Sequence, residues 1–95
     1  MQSTRIARED YKNRPDRPEG WQFQDEGIER EWKFADFASA LQFVNQVGQL
    51  ADAAHHHPDI SFGWGYARIR LTTHDSGGVT VRDLSLAAQI NSLAR

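Results

Sequence analysis

Residues 28–54 read IEREWKFADFASALQFVNQVGQLADAA, and the spacing of their apolar side chains changes partway along. Ile28, Trp32 and Phe34 share one side of an alternating run, with Glu29, Glu31 and Lys33 on the other. A period of two predicts a strand with one buried face. Arg30 is the exception on the apolar side. After Asp36 the period lengthens. Phe37, Leu41, Val44 and Val47 fall at helical spacing, and Ala40, Phe43, Leu50, Ala51 and Ala54 widen the stripe. Asp36 stands where an N-cap belongs, and Gly48 weakens the helix slightly.

Upstream, Trp21 and Phe23 alternate with Gln22 and Gln24, and Asp25-Glu26-Gly27 suits a hairpin connection to the strand that follows. Downstream, Pro58 restricts His57, which predicts a helix end near His56 or His57. Ile60, Phe62, Trp64 and Tyr66 then alternate with Ser61, Gly63 and Gly65, and Ala67, Ile69, Leu71 and Thr73 with Arg68, Arg70, Thr72 and His74. Asp75-Ser76-Gly77-Gly78 reads as a turn, and Thr80-x-x-Asp83 as a capping box. Leu84, Ala87, Ala88, Asn91 and Leu93 form the looser face of a last helix. The order β-β-α-β-β-α predicts an α+β two-layer sandwich: a four-stranded antiparallel sheet with two helices on one face. Residues 1–19, mostly polar with Pro15 and Pro18, read as a mobile lead-in with room for one short helical turn; residues 20–95 form the domain.

Composition narrows the function classes. The chain has 95 residues, 39% of them hydrophobic, and a formal charge of -2, which fits one small globular domain. Basic residues are dispersed, so nothing favours nucleic acid or a membrane surface as partner. No apolar run approaches a membrane span and no secretory signal heads the chain. The absence of cysteine removes thiolate chemistry and leaves a reducing cytoplasm as the default setting.

The run His55-His56-His57 ends against Pro58. Neighbours on a helix point about 100° apart, whereas ligands on one helix sit at i and i+3 or i+4, so three consecutive histidines are poorly placed to converge on a metal ion. Acid–base work suits them better. His74 lies where a strand meets a Gly-rich turn, and Asp52 precedes His56 by four residues, close enough to orient its ring if the helix persists. Incidental surface or core histidines are the plain alternative.

The spacing Asp52-x3-His56-His57-Pro58-x5-Trp64-x9-His74-x8-Asp83 resembles the signature of the pterin-4a-carbinolamine dehydratase family. Gly20-Trp21, the stretch WKFADFASALQFVNQVGQLAD and the stretch LTTHDSGGVTVRDLSLAAQIN extend the similarity over about residues 20–94. The family often has a glutamate where Asp52 stands; His55 is an extra histidine without an assigned role. The resemblance implies dehydration of 4a-hydroxytetrahydropterin to quinonoid dihydropterin, recycling the cofactor of aromatic amino acid hydroxylases. The pterin is then the substrate, and no metal or other cofactor is implied.

Loss of water needs a base at N5 and an acid at the 4a-hydroxyl, both titrating near neutrality as imidazoles do. The resemblance implies that His56 and His74 supply them, in either order, that His57 holds the substrate and that Asp52 orients the histidine pair. Pro58, Thr73, Asp75 and Ser76 are implied to line the pterin, and Trp21 either packs near the ring or is a core aromatic. Asp83 is read as the capping-box acid of Thr80 rather than a catalytic group. A competing reading is a non-catalytic dimerisation or assembly partner on the same fold, of the transcription-coactivator or Rubisco-assembly type. Exposed sheet edges, together with the resemblance, imply a homodimer or homotetramer.

Overall fold

The computed structural model describes residues 4–93. Four strands and two long helices appear in the expected order: β1 (Gln22–Gln24), β2 (Gly27–Lys33), α2 (Phe37–Ala54), β3 (Asp59–Gly63), β4 (Tyr66–Leu71) and α3 (Val81–Asn91), with a short α1 (Arg8–Lys12) ahead of them. The sheet is antiparallel throughout, ordered β1-β2-β4-β3. Ile28, Trp32, Ala67, Ile69 and Leu71 point into the core, where they meet Phe43 and Val47 of α2 and Leu84, Leu86, Ala87 and Ile90 of α3. The opposite face carries cross-strand charge pairs, Glu29 with Arg70 and Glu31 with Arg68, which suits a face turned to water.

Asp36 caps α2 by accepting the Ser39 amide at 2.8 Å, and this bond holds its carboxyl below the usual range. The face that α2 buries is Ala40-Phe43-Val47-Ala51. Phe37 and Leu41, assigned to the stripe by their spacing, lie on its rim and stay 46% and 39% exposed. The start of α2 lies over the edge strand β3, where Phe37 meets Phe62 ring to ring at 5.4 Å.

Arg30, the charge on the apolar side, is accommodated rather than expelled. Its guanidinium stacks over Trp32 and donates to the Glu19 carbonyl and to Asn91 Oδ1 at the end of α3. This explains Gly20, which has φ +85° and where a Cβ would lie 2.7 Å from that guanidinium. The β1–β2 hairpin turns on Asp25 and Glu26, both at positive φ. Arg70 and Thr72 donate to the carbonyls of Gln24, Asp25 and Glu26 and hold this turn closed.

The N-terminal segment departs from the expected loose lead-in. Ile6, Tyr11 and Pro18 are buried; the Ile6 amide donates to the Val79 carbonyl at 2.7 Å and the Tyr11 hydroxyl to the Trp21 carbonyl at 2.7 Å. Three apolar residues scattered among charges carry no periodic signal, so only the tertiary contact shows them. Burial pushes the Tyr11 phenol up to about 12, against a small opposing pull from Arg17. A raised folded pKa means that the unfolded chain loses this proton first. The stability tied to Tyr11 should therefore be intact below pH 10 and decline from pH 10 towards 12. Phenolate absorbance titrated alongside melting temperature checks this, and loss of the high-pH phenolate step in Tyr11→Phe assigns it.

Candidate active site

Two chain segments carry the histidines, and α3 lies against both. The first is the turn that ends α2. The helix stops at Ala54, two residues earlier than Pro58 alone suggested, because His55 swings into the left-handed region at φ +52°. The His55 amide then bonds the Asp52 carbonyl and the His56 amide the Ala51 carbonyl, closing the helix end as a Schellman turn. Glycine is the usual residue at that position because it has no Cβ to strain. His55→Gly should therefore raise stability by roughly 0.5–1 kcal/mol, read as a higher melting temperature with turnover unchanged.

This early stop re-pairs the histidines. Asp52 does not meet His56 across a helical turn; its Oδ1 lies 2.9 Å from Nε2 of His57, with both side chains largely exposed. His56 turns inward instead, its side chain 8% exposed, and its Nε2 bonds Oδ1 of the fully buried Asp83. An ionised carboxylate only accepts hydrogen bonds, so with Asp83 as a carboxylate the His56 Nε2–H is the donor.

Asp83 joins this turn to the second segment. Its Oδ2 accepts the Thr80 amide at 2.9 Å, completing the capping box of α3, and also the Thr73 hydroxyl at 2.9 Å. With its proton spent on Asp83, Thr73 Oγ1 accepts from the Thr80 hydroxyl at 2.9 Å, and Thr80 Oγ1 accepts the Arg82 amide. Each group of this buried cluster is satisfied, as a buried polar network requires. Thr73 pairs with Gly78 to close the turn that carries exposed His74 and Asp75 and half-exposed Ser76. Asp83 thus does more than the cap the sequence assigned to it. The available signal was arithmetic: a capping box uses one carboxylate oxygen and leaves the second for another donor.

The structure ties His56 to Thr73 through Asp83, with His57 and Pro58 next to His56 in the chain and His74, Asp75 and Ser76 next to Thr73. It does not bring Trp21 with them. The Trp21 indole is 3% exposed, packs edge-on against Trp32 and donates to Asn91 Oδ1. Asn91 lies eight residues along α3 from Asp83, about 12 Å of helix rise. The grouping of Trp21 with the pterin-lining residues gives way to its core reading, because its edge and its N–H are both already committed.

His56 also lines a cleft of about 260 Å³ with Arg82, Leu86 and Gln89 between the end of α2 and α3. A larger cavity of about 550 Å³ lies against α1 and β1 and shares no lining residue with the histidine segments. Size alone would direct attention to the larger cavity; the chemistry of the side chains directs it to the histidines. Among the described residues, no group of three or more histidine, cysteine, aspartate or glutamate side chains is placed to hold a metal ion, and no helix is long and apolar enough to cross a membrane.

Comparison with known proteins gives the same direction. The family model described as pterin 4 alpha carbinolamine dehydratase matches residues 4–93. A Paracoccus denitrificans protein provisionally named pterin-4-alpha-carbinolamine dehydratase is 48% identical over 75 residues, covering 77% of this chain and 70% of its own length. A protein of the same provisional name from Koribacter versatilis is 46% identical over 74 residues, covering 78% of this chain and 79% of its own. Among solved structures, a transcriptional coactivator/pterin dehydratase from Brucella melitensis superposes with a TM-score of 0.84 at 31% identity, covering 94% of this chain and 97% of that one. A pterin dehydratase-like protein identified as a RuBisCO assembly factor in the alpha-carboxysome shares the fold, with a TM-score of 0.61 at 22% identity over 76% of this chain and 83% of its own. With nearly its whole length matched, this chain belongs to the pterin 4 alpha carbinolamine dehydratase family.

Proposed function

We propose that this protein dehydrates 4a-hydroxytetrahydropterin by histidine acid–base catalysis, and that His57 and His74 are the proton-transferring pair. The observation that carries the reading is the Asp83 carboxylate, which ties the segment bearing His56 and His57 to the segment bearing His74 through Thr73. Two independently placed imidazoles beside one small bicycle are what the reaction needs. One removes the N5 proton, the other protonates the departing 4a-hydroxyl, and the electron pair released at N5 forms the N5–C4a double bond as water leaves.

Exposure supports a division of labour different from the one read in sequence. His57 and His74 are open to a ligand from solvent, whereas His56 is enclosed and its Nε2–H is committed to Asp83. His57 also carries the Asp52 carboxylate at hydrogen-bond distance, an arrangement that fixes an imidazole's orientation. His56 is then a positioning residue that shapes the turn, with Pro58, Thr73, Asp75 and Ser76 bordering the ring. The pterin is consumed as substrate, so the reaction calls for no further cofactor. A cytoplasmic setting, a homodimer or homotetramer, and supply of the substrate by an aromatic amino acid hydroxylase go with this reading.

The experiment is a spectrophotometric dehydration assay on enzymatically generated 4a-hydroxytetrahydropterin. Acceleration over the uncatalysed reaction supports the reading; its absence favours the competing one, a binding or assembly partner on the same fold. That alternative gives no reason for exposed histidines on both segments, and so ranks second.

A further inference from the structure

The cavity of about 550 Å³ between the N-terminal segment and β1 is lined by Arg8, Lys12 and Arg17, with Glu19 as its acid and Tyr11 and Phe23 among its walls. Arg8 and Lys12 stand one turn apart on α1 and Arg17 follows five residues later, interleaved in the sequence with Glu9, Asp10 and Asp16; folding of the segment against β1 sets the three cations along one cavity. Among the described residues none of the three takes part in an ion pair. Arg8 donates one N–H to the Phe23 carbonyl and rests on the Phe23 ring at 5.1 Å. Arg17 donates one N–H to the Lys12 carbonyl. These bonds fix the two guanidinium groups in place while leaving most of their donors unused, since each carries five. Arg17 is also near enough to the Tyr11 phenol for its charge to act on it, so the positive field reaches the cavity wall.

Three unneutralised cations against one carboxylate favour an anion of about two charges. Guanidinium forks match the paired oxygens of phosphate better than a point charge does. The volume falls in the range of small-molecule sites and exceeds what an inorganic ion fills. We infer that this cavity binds a phosphate-bearing small molecule of about mononucleotide size. It is a second site, independent of pterin turnover, because no residue of the histidine segments lines it.

The test titrates the full chain with adenosine 5′-monophosphate, and separately with adenosine, at constant ionic strength so that screening is equal in both arms. Backbone amide chemical shifts are the readout. The expected result is saturable shifts confined to residues 8–23 with the monophosphate and none with the nucleoside. In Lys12→Gln/Arg17→Gln the affinity should fall about tenfold or more, as loss of charge-assisted hydrogen bonds implies, with dehydration of the pterin substrate unchanged. Lys12→Gln alone, whose ammonium has no hydrogen bond among the described residues, repeats the test without disturbing the Arg17 contact. Shifts that never saturate, that saturate elsewhere, that appear equally with adenosine, or that survive both variants overturn the inference.

Discussion

Alanine at position 57 or at position 74 should slow dehydration by about 10²-fold or more. Each substitution removes one of the two groups proposed to exchange protons with the substrate, and bulk water is a poor replacement for a positioned imidazole. The effect should fall mainly on kcat, because proton transfer occurs in the transition state and contributes little to binding the ground state. Both side chains are exposed, so neither substitution should change stability by more than roughly 0.5 kcal/mol. That pairing of a large kinetic effect with an unchanged melting curve separates catalysis from structure. Asp52→Ala should cost less than His57→Ala, since it loosens the ring without removing it. Full turnover in either histidine variant would remove that residue from the acid–base pair. Full turnover in both would leave the exposed histidines without a catalytic role.

Asp83→Ala should produce the largest loss of stability of any single change at the site, about 3 kcal/mol or more. The carboxylate is fully buried and accepts from the His56 ring, the Thr73 hydroxyl and the Thr80 amide. Alanine strands all three donors where water cannot reach them. For a domain of this size the loss corresponds to a fall in melting temperature of roughly 10–20 °C. Asp83→Asn should fall between the two: it retains an oxygen for the cap of α3 but cannot accept at both ends. Because Asp83 fastens the two histidine segments together, turnover should drop in both variants, measured at a temperature where the protein is still folded. A melting temperature within 2 °C of wild type in Asp83→Ala would show that the buried network contributes far less than its hydrogen bonds suggest.

The comparison of sequence and structure is most instructive at Asp52, His56 and Asp83. Spacing placed Asp52 and His56 one helical turn apart and suggested that they pair. That inference assumed a helix continuing to His56. A left-handed residue at His55 ends it first, and a backbone conformation of that kind leaves no periodic trace when the residue is not glycine. His56 consequently turns into the core and His57 out of it, so that Asp52 meets His57 instead of His56. Asp83 was legible as a cap because capping is local, three residues from Thr80. Its bond to a ring 27 residues away was not. The same holds for Ile6 and Tyr11, whose partners lie across the fold.

Sequence by itself determined the order of elements, the buried faces of β2 and β4 and the caps of α2 and α3. Each of these depends on interactions within a few residues, so spacing and residue type suffice to reveal them. Tertiary structure alone decided which histidine is enclosed and which is open, and what holds the two histidine segments together. These depend on contacts between residues distant in the chain, and such contacts exist only once the sheet and helices have packed around a common core.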